Sequence, residues 1–222
     1  MKKIILFLSA AAFITACNSS TEADKATTAD TQTVASTEGA LFAIESTTTV
    51  TWVGSKPVGD NHVGTFKVSE GSLTVKDSIL TAGNFAIDIT SLNNIDLADD
   101  ADSKGKLEGH LKSADFFDVA KYPTAKFEIT AVEVFVADSN NKDLKIAGAT
   151  HIIKGNLTLK DSSKNIAFPA KVVITATTVN AVADFIIDRT LWGMNYKGPN
   201  NPQNWIINRD VNIQLNISAT KK

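Results

Sequence analysis

Three histidines, His62, His110 and His151, are the side chains best suited to acid–base or metal chemistry. They are far apart in sequence, and none has a second ligand at the spacing of a metal site. The chain also lacks a G-x-S-x-G turn, a phosphate-binding glycine loop and a dinucleotide fingerprint. We therefore predict no catalytic residue, no metal and no cofactor. Convergence of His110, Arg189 and an acid on one cavity would favour an enzyme instead.

Cys17 is the only cysteine, and it follows an export-like segment. Lys2 and Lys3 supply a positive start, an apolar run follows, and Ile14-Thr15-Ala16 precedes Cys17. This order resembles the lipobox read by the lipoprotein signal peptidase, which implies removal of residues 1–16 and acylation of Cys17 as a lipid anchor. An ordinary export signal with an incidental cysteine is the alternative. The apolar run is shorter than the ~20 residues that span a bilayer.

The net charge indicates which classes of partner to expect, and the residue after the cysteine indicates which membrane the protein is attached to. Loss of Lys2 and Lys3 leaves 20 basic and 24 acidic residues, a net charge of −4. Such a chain has no general attraction to phosphate backbones, so we predict no nucleic-acid partner. Asn18 in place of an aspartate favours, by analogy with known sorting, a lipoprotein of the outer membrane facing the periplasm. The predicted membrane contact is acylated Cys17.

The composition changes near residue 40. Residues 17–40 are built mostly from Ser, Thr, Ala, Asp, Glu and Gln, which bury too little apolar surface to order a chain. We predict an acylated cysteine and a disordered tether there. Residues 41–222 have the size of a single domain.

Within residues 41–222 apolar side chains alternate with polar ones. In the segment Asn84–Thr90, for example, Phe85, Ile87 and Ile89 share one face. Alternation with period two indicates strands with one buried face, and many such strands predict an all-β antiparallel barrel or sandwich. A stripe at spacings of three and four predicts a short helix in the region 103–118; it consists of Leu107, His110, Leu111, Ala114 and Phe117.

Two polar residues near apolar segments have two interpretations each. His110 lies on the helical stripe, where it either hydrogen-bonds a backbone group or contacts a ligand. Arg189 either pairs with a group elsewhere in the sheet or contacts an anionic head group at a cavity mouth. Asp188 is a poor partner for Arg189, because adjacent residues in a strand face opposite sides.

A long motif resembles the YceI-like family. It runs from Gly109 to Phe127 and contains His-Leu-Lys-Ser-Ala-Asp-Phe-Phe-Asp followed by Tyr-Pro, with Asp188-Arg189 and Trp192-Gly193 as a second match. The resemblance implies an antiparallel, eight-stranded, lipocalin-like barrel whose apolar tunnel binds a polyisoprenoid or similar long-chain lipid, and it allows a homodimer. The chain departs from the family pattern at Ser55-Lys56 and at Leu107-Glu108, which puts the head-group chemistry in doubt.

The predicted ligand-lining residues follow from strand alternation. They are Trp52, Phe85, Phe127, Leu157, Phe168 and Phe185. The head-group candidates are His110 and Arg189. An eight-stranded barrel is either just filled by its side chains or able to hold a small ligand. The leading hypothesis is therefore a lipid carrier or reservoir. The alternative is a structural or stress-response lipoprotein that acts through its surface.

Overall fold

The computed structural model describes residues 23–136, 144–199 and 206–222, so Cys17 and the export segment lie outside the described residues. No helix in these ranges is long and apolar enough to cross a bilayer. The helix is α1 Ala101–Lys112, and the strands are β1 Asp24–Lys25, β2 Thr27–Ala29, β3 Ala40–Ile44, β4 Thr49–Gly54, β5 His62–Lys76, β6 Ile79–Asn94, β7 Thr124–Val134, β8 His151–Leu159, β9 Ser162–Ile174, β10 Thr178–Asp188 and β11 Asp210–Lys221.

The strands close into a barrel. Each strand from β5 to β11 pairs antiparallel with the next, and β11 returns to pair with both β3 and β4. Since β3 and β4 follow one another between β11 and β5, they occupy a single position in the ring. The ring therefore has eight positions, which confirms the predicted all-β antiparallel eight-stranded barrel.

Alternation along the strands separates the interior from the outer face. On β10, Ala183, Phe185 and Ile187 are buried, whereas Asn180 and Val182 are exposed. The sheet is continuous, so these inward residues merge into one core. The two ends of the barrel differ. The β5–β6 hairpin lies at one end, and α1 with the segment after β10 lies at the other, which we call the helix end.

Helix α1 ends at Lys112, earlier than the apolar stripe in the region 103–118 predicted. Asp100 begins it, since its side chain accepts the Ser103 N–H at 3.0 Å. Ser113 ends it in an extended conformation, and both its N–H and its hydroxyl donate to the His110 carbonyl. These competing bonds stop the helix at Lys112, so the residues up to 118 form turns. As a result Phe116, which was not part of the predicted stripe, is the buried residue of this segment.

The prediction of a disordered tether is wrong for residues 24–29. Strand β1 pairs parallel with β10 at Phe185 and Ile186, and β2 pairs antiparallel with β9 at residues 165–167. Strands β9 and β10 pair with each other only at residues 170–174 and 179–183, so β1 and β2 fill the space where they separate. Main-chain groups make these bonds, and amino-acid composition does not report them. We call residues 24–35 the strap.

Side-chain hydrogen bonds from β8, and one main-chain hydrogen bond at an irregularity in β7, hold the rest of the strap. Asn156 faces outward from β8 but is buried, because Gln32 covers it. Its Oδ1 accepts the Gln32 N–H at 3.0 Å, and its Nδ2 donates to the Gln32 carbonyl at 2.7 Å. The same Oδ1 accepts from Asn165 at 3.0 Å. Ala35 donates its N–H to the Ile129 carbonyl at 2.9 Å, where the register of β7 shifts.

We expect Asn156→Ala to lower the free energy of unfolding by about 1–2 kcal/mol, because it removes both hydrogen bonds to the Gln32 main chain and one from the buried Asn165. Gln32→Ala is the matched control, since that side chain donates only to the exposed Asp30 carbonyl. Its effect should stay within about 0.5 kcal/mol. Urea unfolding measures both. Equal effects would contradict the role given to the Asn156 clamp.

Candidate functional site

An apolar cavity of about 450 Å³ occupies the barrel interior. This volume lies in the range of roughly 300–1,000 Å³ that is usual for small-molecule sites. Phe127 and Leu157 point inward yet remain partly accessible, because they border this open space. The structure places all six predicted lining residues on the cavity wall: Trp52, Phe85, Phe127, Leu157, Phe168 and Phe185. Contact of these residues with a ligand stays a prediction.

Four phenylalanines form a continuous aromatic row over the part of the wall from β6 to β10. The ring centroids of Phe85 and Phe127 lie 6.2 Å apart, and those of Phe127 and Phe168 lie 5.9 Å apart. Phe168 and Phe185 stack at 4.0 Å with nearly parallel rings. These residues lie on β6, β7, β9 and β10, so the row follows one side of the cavity. It presents a rigid apolar surface to any occupant.

Two glycines make room for large rings in the wall. A Cβ on Gly64 would lie 2.4 Å from the Trp52 ring, and one on Gly155 would lie 2.3 Å from the Phe127 ring. Both glycines therefore allow an aromatic ring to lie flat against the neighbouring strand. This arrangement places the rings along the wall and leaves the centre of the barrel open.

The segment from α1 to Phe117 covers the helix end of the barrel. Phe117 packs edge-on against Phe66 with centroids 5.2 Å apart. The His110 ring lies between Phe116 and Tyr196, at 5.2 Å and 4.6 Å. Its Nε2 lies 3.0 Å from an Asp115 oxygen. His110 thus joins two covering segments and also lines the cavity. Its hydrogen-bond partner is the Asp115 carboxylate and not the predicted backbone group, and its contact with a ligand stays a prediction.

A second histidine, His62, lies at the same end. Its Nδ1 is 2.9 Å from Asp96, whose other oxygen accepts from the Val63 N–H and from Asn94, both at 2.6 Å. Burial alone would raise the pKa of Asp96, but these hydrogen bonds together outweigh it and hold the pKa below the ordinary 3.8. The ionised carboxylate places the proton on Nδ1 of His62. His151 lies at the opposite end, where burial lowers its pKa.

The Asp96 contribution to stability should depend on pH. Because its pKa is lower in the folded state, the contribution is complete above 3.8 and is lost as the pH falls through the folded value. We expect Asp96→Asn to be less stable than the parent at pH 7, and the difference to shrink below about pH 4. Exposed Asp99→Asn is the control. Thermal unfolding across this pH range measures both, and a pH-independent difference would contradict the expectation.

Arg189 is the most buried charged group at the helix end, with 4% of its surface exposed. Its guanidinium donates to the carbonyls of Asn208 at 3.0 Å, Tyr196 at 3.1 Å and Ile207 at 3.3 Å, and also to that of Met194. Burial lowers the pKa of Arg189. The structure thus favours the interpretation that Arg189 pairs within the protein, since it holds the segments on either side of residues 200–205 against the barrel.

Sequence patterns did not identify three residues that line the helix end: Tyr196, Lys197 and Met194. They follow Trp192 in a stretch without alternation, and the hydrogen bonds from Arg189 hold this stretch at the cavity. Lys56 also lines the helix end of the cavity. The one sequence feature that pointed to Lys56 was the departure from the family pattern at Ser55-Lys56. Among the described residues, no group of three or more His, Cys, Asp or Glu is arranged to hold a metal ion.

Comparison with known proteins identifies two features. A prokaryotic membrane lipoprotein lipid attachment site matches residues 1–18, which include Cys17. The chain therefore carries a lipoprotein attachment site, in agreement with the prediction of a membrane-anchored protein of the cell envelope. The YceI-like domain matches residues 42–219, which contain every strand of the barrel ring except the first two residues of β3 and the last two of β11.

Relatives agree with this result. Protein YceI of Escherichia coli O17:K52:H18 is 31% identical over 112 residues, which are 50% of this chain and 48% of that protein. The chain spans about half the length of the curated relatives it matches. BcnA of Burkholderia cenocepacia has 19% identity and a TM-score of 0.59 over 78% of this chain and 96% of its own. A polyisoprenoid binding domain from Saccharophagus degradans has 14% identity and a TM-score of 0.54, over 83% and 100%. From its fold and its match over residues 42–219, the chain belongs to the YceI-like domain family.

Proposed function

We propose that this protein binds a polyisoprenoid or similar long-chain amphiphile in its barrel cavity, as a carrier or reservoir held at a membrane by acylated Cys17. One observation carries the proposal: the cavity is open and its wall is almost entirely apolar, with an aromatic row along one side. The polyisoprenoid binding domain from Saccharophagus degradans has a similar fold and supports the choice of ligand class.

The cavity also provides the driving force. Removing apolar chain from water is favourable by about 25 cal/mol for each Å² buried. Rigid rings lose little side-chain entropy when an occupant packs against them, so the Phe127, Phe168 and Phe185 surface is well suited to a flexible chain. A long apolar chain would enter with its polar end at the helix end, because the polar lining residues lie there.

A structural or stress-response protein acting through its surface is the competing function. That function requires no cavity, and a barrel of this strand number can be filled completely by its side chains. Here glycines at positions 64 and 155 place the Trp52 and Phe127 rings against the wall, which favours an occupant in the centre. A homodimer stays a prediction that analytical ultracentrifugation would test.

We further propose outer-membrane attachment facing the periplasm, from Asn18 after the acylated cysteine. Cys17→Ser should abolish incorporation of labelled palmitate and move the protein from the membrane to the soluble fraction, because a diacyl anchor is the only membrane attachment predicted. Adding Ser20→Cys to this variant should not restore labelling, since that cysteine does not follow Ile14-Thr15-Ala16. Labelling of the doubly substituted protein would contradict the predicted site.

The test of ligand binding is solvent extraction of protein purified from its own host, followed by mass spectrometry. The expected result is an isoprenoid or related long-chain amphiphile in near-stoichiometric amount, separate from the covalent acyl groups at Cys17. Added isoprenoid should also raise the melting temperature, since a ligand that binds only the folded state stabilises it. Protein that is repeatedly empty and gains no thermal protection would overturn the proposal.

A further inference from the structure

All the charged side chains on the cavity lining are basic. They are Lys56, Lys197 and Arg189, with His62 and His110 beside them, and no aspartate or glutamate of the described residues lines the cavity. The whole chain carries an excess of acidic residues, with 24 against 22 basic ones. Apolar walls of low polarisability concentrate the field of such a one-signed group of charges.

Main-chain hydrogen bonds place the two lysines on one rim. Asn208 donates its N–H to the Ser55 carbonyl at 3.0 Å, and its side chain donates to the Ser55 hydroxyl at 2.9 Å. On the other side, the N–H groups of Ile206 and Ile207 both donate to the Lys197 carbonyl at 3.1 Å. The segment 206–208 thus lies between Ser55 and Lys197. Lys56, the neighbour of Ser55, and Lys197 flank the same stretch of the cavity mouth.

Three carboxylates at the helix end already have partners. Asp96 accepts from His62, and Asp115 lies 3.0 Å from His110. Asp188 accepts from Thr190, and its other oxygen lies 3.7 Å from Arg209. Within the described residues, Lys56 and Lys197 form no ion pair, and the Lys197 amine lies 5.5 Å from the centre of the Tyr196 ring. Their charges therefore remain available to a ligand.

Arg189 adds a positive charge beneath the rim. Its partners are neutral carbonyls, and it is almost completely buried. A buried cation without a carboxylate in hydrogen-bond contact keeps much of its field, because water screens it little, and the nearby Asp188 carboxylate offsets only part of it. The positive potential of Arg189 therefore acts at the end of the cavity where the two lysines lie.

We propose that the cavity selects amphiphiles with an anionic head group, a phosphate or a carboxylate, which Lys56 and Lys197 hold at the helix end. This inference rests on the proposed function and specifies its ligand. The apolar chain fills the barrel, and the anion stays at the mouth where both lysines remain partly hydrated. An amphiphile with one long chain and a terminal anion fits this arrangement, because the apolar wall and the basic rim lie at different places along the cavity.

Native mass spectrometry of the mature lipoprotein, released from detergent after removal of endogenous ligand, tests the proposal. Geranylgeranyl phosphate competes with geranylgeraniol in one arm, and oleate competes with oleyl alcohol in the other. The bound mass identifies the occupant directly. We expect the anion to be favoured about tenfold or more over its alcohol in at least one arm. The arm with the larger preference identifies phosphate or carboxylate as the head group.

Two double variants with the same change of charge complete the test. Lys56→Gln with Lys197→Gln should bring the ratio of anion to alcohol close to one. Lys126→Gln with Lys171→Gln changes two exposed lysines away from the lining and should leave the preference intact. Glutamine keeps a long polar side chain, and equal melting temperatures would show that both variants are folded.

The results separate this inference from the proposed function. Equal binding of anion and alcohol by the parent protein would overturn the head-group selection and leave chain binding in place. Loss of preference in the Lys126 and Lys171 control would also overturn it, since the effect would then come from net charge alone. Failure of all four amphiphiles to bind would overturn both proposals.

Discussion

Arg189→Met is expected to lower the free energy of unfolding by about 3–5 kcal/mol, the largest stability effect of any single substitution considered. The substitution keeps an apolar stem but removes every donor of the guanidinium. The carbonyls of Met194, Tyr196, Ile207 and Asn208 then lose a charged partner in a buried place. A hydrogen bond to a charged group contributes about 1.5–3 kcal/mol, and relaxation of the loop recovers part of the sum.

Arg209→Met is the matched control for this substitution. The Arg209 side chain is 54% exposed and lies 3.7–3.8 Å from Asp188 and Asp210, so it should contribute less than about 1 kcal/mol. Arg189→Lys should fall between the parent and Arg189→Met, because an ammonium group cannot reach all four carbonyls in the plane that they define. Urea unfolding gives all three values. An Arg189→Met protein within 1 kcal/mol of the parent would show that the surrounding carbonyls find other donors.

Leu157→Trp should reduce ligand occupancy to less than about a tenth of the parent value, because the larger side chain enters space that the ligand needs. Leu157 points inward from the middle of β8 and borders the cavity, opposite Phe127 on β7. The open volume accepts the indole ring, so the cost in stability should remain below the 1–3 kcal/mol of an overpacked core. Extraction and mass spectrometry give the moles of amphiphile per mole of protein.

Lys126→Trp provides the comparison on the outer face. Lys126 is exposed, and its neighbour Phe127 is the residue that faces the cavity. This variant carries the same added ring, so it should keep the occupancy of the parent and the thermal protection by added isoprenoid. Leu157→Trp should lose that protection, since a ligand that no longer binds cannot stabilise the fold. Parental occupancy in Leu157→Trp would place the ligand outside the barrel.

The strands could be predicted from the sequence because their burial pattern is local, whereas their closure into an eight-stranded barrel was implied only by the family resemblance. Each strand buries one face, so Phe85, Ile87 and Ile89 must alternate with polar residues on β6. The same rule brought six predicted lining residues to one cavity wall. The openness of the cavity could not be predicted, because it depends on how the rings of Trp52 and Phe127 lie over distant glycines.

The incorrect parts of the prediction share a physical reason. The strap is made mostly of Thr, Ala and Asp, and it is held through its main chain and through Asn156, 124 residues away from Gln32. Amino-acid composition indicates how much apolar side-chain surface a segment can bury, but it does not indicate main-chain hydrogen bonds. Likewise, the end of α1 depends on one serine that competes for the His110 carbonyl. The position of Lys197 depends on a return of the chain that Arg189 holds in place.

The strap also determines how closely the membrane holds the protein. Only seven residue steps separate Cys17 from Asp24, where pairing with β10 begins, and fully extended chain of that length covers at most about 25 Å. Any mechanical load on the anchor reaches the barrel through the pairing of β1 with β10 and through the ion pair of Lys25 with Asp210 on β11 at 2.8 Å. The protein is thus attached at its side wall, and the strands that enclose the cavity are the ones that bear the force.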